Sequence, residues 1–137
     1  MDEPEIDHVG IAVDDLDAAI ARWEALGARL AHREHVDSDG IEEVMLAVGP
    51  SFIQLVAPTR EDSPVARFLA RRGPGIHHLA LRVQSCRDAL EEARRQGFDP
   101  IDEVPRRGSR GTTVAFVHPR STGGVLIEFV EEPPATD

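Results

Sequence analysis

The sequence predicts an α+β domain in which two similar halves share one sheet and lay their helices on one face. Three observations carry this. An apolar, strand-like run occurs twice, as Ile6-Asp7-His8-Val9-Gly10-Ile11-Ala12-Val13 and as Ile76-His77-His78-Leu79-Ala80-Leu81-Arg82-Val83, so that His8 and His78 stand 70 residues apart. Each run leads through a short turn into helically spaced apolar residues that stop at Gly27 or Gly97, again 70 apart. Each helix is then followed by a pair of strand-like runs. Internal repetition of this kind marks a fold built by using one unit twice.

The elements follow in order. After the first strand, Asp14 or Asp15 can cap a helix whose apolar positions are Leu16, Ala19, Ile20, Trp23 and Leu26, and Gly27 ends it. This is the spacing of an amphipathic helix with a C-terminal glycine stop. Strands follow at Glu42 to Val48 and Ser51 to Ala57, separated by Gly49-Pro50. In the second half Ser85 can cap, Cys86, Ala89, Leu90 and Ala93 form the stripe, and Gly97 follows. Its strands run from Thr112 to His118 and from Val125 to Glu131, with Pro119, Gly123 and Gly124 in the turn. Weaker strands are expected near Ala28 to Arg33 and Pro100 to Val104. Between the halves, Ser63 caps a linker helix of about residues 63–72, with Pro64 in its first turn and Gly73 at its end.

The modules are thus about residues 6–57 and 76–131. A half of roughly 70 residues buries little core by itself, so the whole chain, 1–137, is expected to be a single domain.

Composition bounds the function. The chain has 137 residues and 15.0 kDa, 41% hydrophobic and 29% charged, as in an ordinary globular protein. With 25 acidic against 15 basic residues, the net charge is −10. Such a chain repels nucleic-acid phosphates, which excludes DNA or RNA as the expected partner. Its basic residues are all arginine. The single cysteine, Cys86, excludes an intramolecular disulfide and sits on a helix stripe, where core packing is expected. The acidic start, Met1-Asp2-Glu3-Pro4-Glu5, is unlike a targeting peptide, and no apolar stretch reaches the ~18 residues of a membrane span. A cytoplasmic protein with no membrane partner is expected.

Strand alternation isolates the chemistry. Side chains along a strand alternate between faces. Val9, Ile11 and Val13 fall on one side of the first strand, with Asp7, while Ile6, His8, Gly10 and Ala12 fall on the other. A histidine followed by two very small residues suits the floor beneath a ligand. In the repeat, His78, Ala80 and Arg82 oppose Leu79, Leu81 and Val83. The closing strands behave alike: Gln54 opposes Ile53 and Leu55, and Glu128 opposes Ile127 and Phe129. His8, Gln54, His78 and Glu128 therefore occupy equivalent places in the two halves, each interrupting an apolar strand. Two imidazoles, an amide oxygen and a carboxylate, without thiolates, suit Co²⁺, Mn²⁺, Ni²⁺ or Zn²⁺. Hydrogen-bonded core histidines and solvated Gln or Glu are the structural alternatives.

The segments Asp7-His8-Val9-Gly10-Ile11-Ala12-Val13, Gly75-Ile76-His77-His78, and His118-Pro119 with Gly124-Val125-Leu126-Ile127-Glu128 resemble the methylmalonyl-CoA epimerase family. That family belongs to the vicinal-oxygen-chelate superfamily, with glyoxalase I and the extradiol dioxygenases, and the resemblance spans roughly Ile6 to Phe129. It implies paired βαβββ modules forming a cup-shaped mixed sheet with helices on the outer face. It implies one divalent ion per chain, Co²⁺ above the others, held by His8, Gln54, His78 and Glu128, the four residues that alternation isolates. His77 then faces the helices.

The implied reaction is epimerisation of (R)- and (S)-methylmalonyl-CoA by removal and return of the α-proton through a metal-stabilised enolate. Such a reaction needs a base near the α-carbon. Glu43, in Gly40-Ile41-Glu42-Glu43-Val44-Met45, falls at the family's catalytic glutamate, and Glu128 is the candidate for the second acid/base. An exposed strand start is the alternative reading of Glu42 and Glu43. Coenzyme A phosphates call for local positive charge. Arg106, Arg107 and Arg110 are candidates, with Gly108, Ser109 and Gly111 able to offer backbone N–H groups to a carboxylate; Arg60, Arg67, Arg71 and Arg72 around the linker helix are others. His32, His35 and His118 show no partner pattern. The resemblance also implies a homodimer, and open sheet edges give a physical reason for one. Two alternatives stay open: a glyoxalase I-like lyase, and a non-catalytic small-molecule-binding protein of the same fold. Gln54 with Glu43 speaks against the first and the full ligand set against the second.

Overall fold

The structure is a computed structural model that describes residues 3–135; residues 1–2 and 136–137, the ends of the expected domain, lie outside it. It has eight strands and three α-helices, an α+β protein of the expected class. Contacts group the chain into two compact units, His8–His77 and the residues through Asp7 together with those from His78 onward.

In the unit His8–His77 the sheet runs β2 (Arg29–Val36), β3 (Ile41–Val48), β4 (Ser51–Pro58) and β1 (Glu5–Ala12, of which His8–Ala12 belongs here). β1 pairs with β4 in parallel, and the other two pairings are antiparallel, so the sheet is mixed. Helix α1 (Leu16–Ala25) is capped by the Asp15 carboxylate, which accepts from the Ala18 N–H. Its Leu16, Ala19 and Ile20 bury against Val13, Val44, Leu46 and Leu55, with Ile11 and Ile53 beside them. This is the face that alternation assigns to packing. The β3–β4 hairpin turns on Gly49-Pro50. Gly49 has φ +61°, a left-handed conformation that matches the strand twist and that a β-carbon would strain.

Helix α2 (Pro64–Arg72), with Ser63 as its cap, is the expected linker helix. Val65, Phe68 and Leu69 pack on Ala12, Ile41 and Val56, on the opposite face of the sheet from α1. By alternation this is the face of His8, Glu43 and Gln54. The hydrophobic stripe of α2 fits either face equally, and only the chain path chooses. Leu26, expected on the apolar stripe of α1, is a correction. It is 73% exposed, because α1 ends at Ala25 and the chain turns at the cap.

In the other unit the order is β5 (Gly75–Arg82), β8 (Ile127–Glu131), β7 (Thr113–Val117) and β6 (Arg106–Arg107). β5 and β8 are parallel; the remaining pairs are antiparallel. Helix α3 (Cys86–Arg95) is capped by Ser85 and buries Cys86 and Leu90 against Ala115 and Phe129. The expected strand at Pro100 to Val104 is not formed. Pro100 makes one isolated bridge to Val117, and the fourth strand is the two-residue β6. The reason is local: Asp102 accepts from the Phe116 N–H at 2.8 Å, so a side chain takes the place of a backbone partner there. By contrast, the strand expected near Ala28 to Arg33 extends as β2 through Val36, paired along its length with β3. Among the described residues no helix is long and apolar enough to cross a membrane.

Candidate functional site

In the unit His8–His77, three polar side chains on the strands are buried: His8 on β1, Glu43 on β3 and Gln54 on β4. Register explains why they share a face. Gly10 pairs with Gln54, and Gln54 pairs in turn with Met45, the residue two beyond Glu43. Residues directly paired across strands point the same way. Glu43 is 2% exposed, and Gln54 Nε2 donates to its Oε2 at 2.6 Å. An ionised carboxylate only accepts, so this bond fixes which end of the amide is which. The amide oxygen, Gln54 Oε1, is consequently a buried acceptor with no hydrogen-bond partner. Leaving such a group unsatisfied costs about 1–3 kcal/mol. A cation would satisfy it.

Glu42, next in sequence, behaves differently. Its carboxylate accepts from Arg33 Nε at 2.6 Å on the opposite face, and this hydrogen bond holds it below the usual carboxylate range. Arg33 also reaches Asp17 on α1.

In the second unit, His78 on β5 and Glu128 on β8 are buried, with His78 Nε2 and Glu128 Oε1 3.4 Å apart. Phe116, paired with Glu128 across β7 and β8, meets the His78 ring edge-on at 5.7 Å between centroids. Arg106 extends this chain: its guanidinium lies 5.5 Å over the Phe116 ring, and its Nε is 3.3 Å from the Asp102 carboxylate. An edge-on aromatic ring and then a cation thus lie in line beyond His78. Sequence reading found Arg106 but missed Phe116 and Asp102, for which only the loop geometry gives a signal.

The other loop residues are placed less simply. Arg107 is exposed. Arg110, with φ +56°, reaches toward Asp7, Nη2 to Oδ2 3.5 Å. Asp7 is wholly buried and also accepts from Arg82 Nε at 2.9 Å. Its place among aliphatic residues on the packing side of β1 is explained by these two guanidiniums. Gly108 is needed for packing: a β-carbon there would meet Val114 Cγ1 at 2.7 Å. The Ser109 carbonyl accepts from both the N–H and the hydroxyl of Thr112, and Gly111 has φ +73°. The loop is therefore closed on itself by its own bonds.

His77 packs edge-on against Phe68 of α2 at 4.9 Å and belongs to neither metal-ligating group found among the described residues. His8 in one unit, and His78 and Glu128 in the other, are each residues of a kind that can give a ligand atom to a divalent ion. With the Gln54 oxygen, these donors are of the nitrogen and oxygen kind that suits borderline divalent ions. Around α2, Arg60 bonds Asp62 and the Asp37 carbonyl, Arg67 the Asp62 carbonyl, and Arg72 lies over Phe68. His118 caps a 3₁₀ turn by accepting from the Arg120 N–H, and His35 lies 3.9 Å from Glu42. His32 is a correction: it has a partner, Glu34, at 2.6 Å. Cys86 is fully buried, as expected, and burial pushes its thiol up to about 12.

Comparison with known proteins follows the same lines. Residues 7–116 match the family model of the Glyoxalase/Bleomycin resistance protein/Dioxygenase superfamily. The crystal structure of methylmalonyl-CoA epimerase from Mycobacterium tuberculosis is 47% identical, with a TM-score of 0.90 over 94% of this chain and 88% of that one. A variant of Streptomyces coelicolor methylmalonyl-CoA epimerase, in complex with 2-nitronate-propionyl-CoA, is 38% identical with a TM-score of 0.91, covering 94% and 97% of the two chains. The ethylmalonyl-CoA/methylmalonyl-CoA epimerase of Cereibacter sphaeroides is 34% identical over 129 residues, which span 90% of this chain and 95% of the relative. The repeat, the buried imidazole, amide and carboxylate donors and these similarities agree, and the chain belongs to the glyoxalase/bleomycin resistance protein/dioxygenase superfamily.

Proposed function

We propose that this protein is a metal-dependent epimerase of (R)- and (S)-methylmalonyl-CoA, with His8, Gln54, His78 and Glu128 as ligands of one divalent ion per chain. The observation that carries this reading is the Gln54–Glu43 bond. It turns the Gln54 oxygen outward as a buried acceptor lacking a partner, and it orients a buried carboxylate beside it. The similarity to epimerases of 34–47% identity supports the substrate. When bound, the ion supplies Lewis acidity toward the oxygens of the malonyl thioester, lowering the cost of charge that develops as the α-proton leaves.

The chain's own residues do the rest. Glu43 is the base: it takes the α-proton at Oε1 while Oε2 keeps the Gln54 N–H. Met45 and Val56, buried around it, keep water from that carboxylate. Glu128 is the second acid/base, returning a proton to the opposite face of the α-carbon. Arg106, stacked on Phe116, is the first candidate for the CoA phosphates; Arg107, Gly108, Ser109, Arg110 and Gly111 complete the proposed substrate loop. Co²⁺ is the proposed ion, and a homodimer the proposed assembly. The two units act together as one domain in this reading, and a single cooperative thermal transition is expected.

The test is exchange of the α-proton of methylmalonyl-CoA into D₂O, followed by NMR. Exchange that a chelator abolishes and Co²⁺ restores is expected. No exchange, with turnover of the glutathione hemithioacetal of methylglyoxal, would replace this reading with the glyoxalase one.

A further inference from the structure

A second set of ligating side chains lies within the unit His8–His77, and sequence reading gave it no role. Glu34 on β2 is paired directly with Glu43 on β3, and His32, two residues back on the same face of β2, is paired with Met45. The register shift between Leu30 and His32 brings this about, so the cluster is invisible without the strand pairing. His32 Nε2 lies 2.6 Å from Glu34 Oε1, and one ligand atom from each of His32, Glu34 and Glu43 falls within 4.8 Å of the others.

Two carboxylates directly opposed on one strand face repel each other. Arg33, between His32 and Glu34 in sequence, bonds Glu42 and Asp17 on the other face. An imidazole nitrogen with two carboxylate oxygens is a donor set that suits Zn²⁺. Ligand bonds of about 2.0–2.2 Å put donor atoms roughly 3.3 Å apart, which small rotations of two surface-reaching side chains achieve here. His32 and Glu34 are 33% and 35% exposed, which gives an ion a way in. A fourth position is left to water.

We propose that His32, Glu34 and Glu43 form a second divalent-cation site, suited to Zn²⁺, whose occupancy withdraws Glu43 from proton transfer. Zinc inhibition of this kind rests on the reading of Glu43 as the base; zinc binding does not. Coordination to Zn²⁺ draws electron density from the Glu43 carboxylate and lowers its basicity, so it accepts the α-proton less readily until the ion leaves.

Equilibrium dialysis of the full chain against ⁶⁵Zn²⁺ separates the two. Two ions per chain are expected at saturation, falling to one in His32→Ala and in the nearly isosteric Glu34→Gln. His78→Ala also retains one, and the His32→Ala/His78→Ala double variant retains none. A single ion that His78→Ala abolishes and His32→Ala retains, or two ions retained in both His32→Ala and Glu34→Gln, overturns the site; a single ion that His32→Ala abolishes and His78→Ala retains upholds it. In the exchange assay, filling the second site slows wild-type exchange, and the inhibition midpoint rises roughly 10-fold or more in His32→Ala, each protein being compared with its own uninhibited rate. Two ions bound with undiminished exchange overturns the withdrawal of Glu43. Two ions bound by a protein with no exchange activity upholds the site while the epimerase reading fails.

Discussion

Gln54 and Glu43, eleven residues apart on antiparallel strands, are joined by a 2.6 Å hydrogen bond in which the amide nitrogen donates and the carboxylate accepts. One bond therefore does two things: it steadies a buried carboxylate, and it decides that the amide presents oxygen, not nitrogen, to whatever lies beyond. Glutamate at position 54 would accept and not donate, and would face Glu43 with like charge.

Glu43→Gln is expected to lower α-proton exchange by about 10²-fold or more, the usual scale for removing a general base. After Co²⁺ loading, the ion proposed at His8, Gln54, His78 and Glu128, read by plasma mass spectrometry, stays bound, because Glu43 is not one of those four; only Zn²⁺ at the proposed His32–Glu34–Glu43 site is expected to be lost. Exchange starting from one epimer should suffer more than from the other. Glu42→Gln is the control and keeps nearly full activity, since Glu42 faces Arg33 on the other side of β3. Full activity in Glu43→Gln would move the base to Glu128.

The adjacent histidines should separate cleanly. His78→Ala is expected to lose tight metal binding together with activity. His77→Ala keeps its metal and instead loses the edge-on contact with Phe68, lowering the melting temperature by a few degrees for a loss of about 1 kcal/mol. Dialysis and calorimetry on both variants read the difference, and equal metal loss would refute the face assignment.

Arg106 and Arg110 are expected to differ in kind. Arg106→Met should raise KM for the CoA substrate while leaving the fold intact, because its guanidinium stacks on Phe116 from a half-exposed position. Arg82→Met and Arg110→Met instead remove partners of the buried Asp7. Each is expected to cost on the order of 2 kcal/mol in urea unfolding, more for Arg82, whose contact is the closer. A rise in KM for Arg110→Met without loss of stability would return Arg110 to the substrate.

Cys86 should resist thiol reagents. A thiol pushed to about 12 has almost no thiolate at neutral pH, so alkylation is expected only after unfolding in guanidinium. The alkaline consequence has a definite sign. The folded thiol holds its proton more tightly than the unfolded one, which titrates near 9.0. Its contribution to stability is fully present below that pH and declines between about 9 and 12, by up to roughly 1.4 kcal/mol per unit. Cys86→Ala should flatten this part of the stability profile.

What the amino-acid order determines by itself here is local and periodic. His8, Gln54, His78 and Glu128 each interrupt an apolar strand, and because side chains alternate with a period of two, their common chemistry is legible without any knowledge of which strand lies beside which. The caps at Asp15, Ser63 and Ser85 are legible for the same reason, each bonding an N–H three residues on. Tertiary structure decided what depends on register and on loop path. The pairing of Glu34 with Glu43 turns on a shift at Leu30 to His32. The strand at Arg106–Arg107 replaces an expected one because the Asp102 carboxylate reaches Phe116. Arg110 lies against Asp7, 103 residues away, and α2 lies on the Glu43 face rather than beside α1. Strand periodicity is a property of the backbone alone, whereas register, loop closure and the choice of face are settled by contacts between residues far apart in the chain.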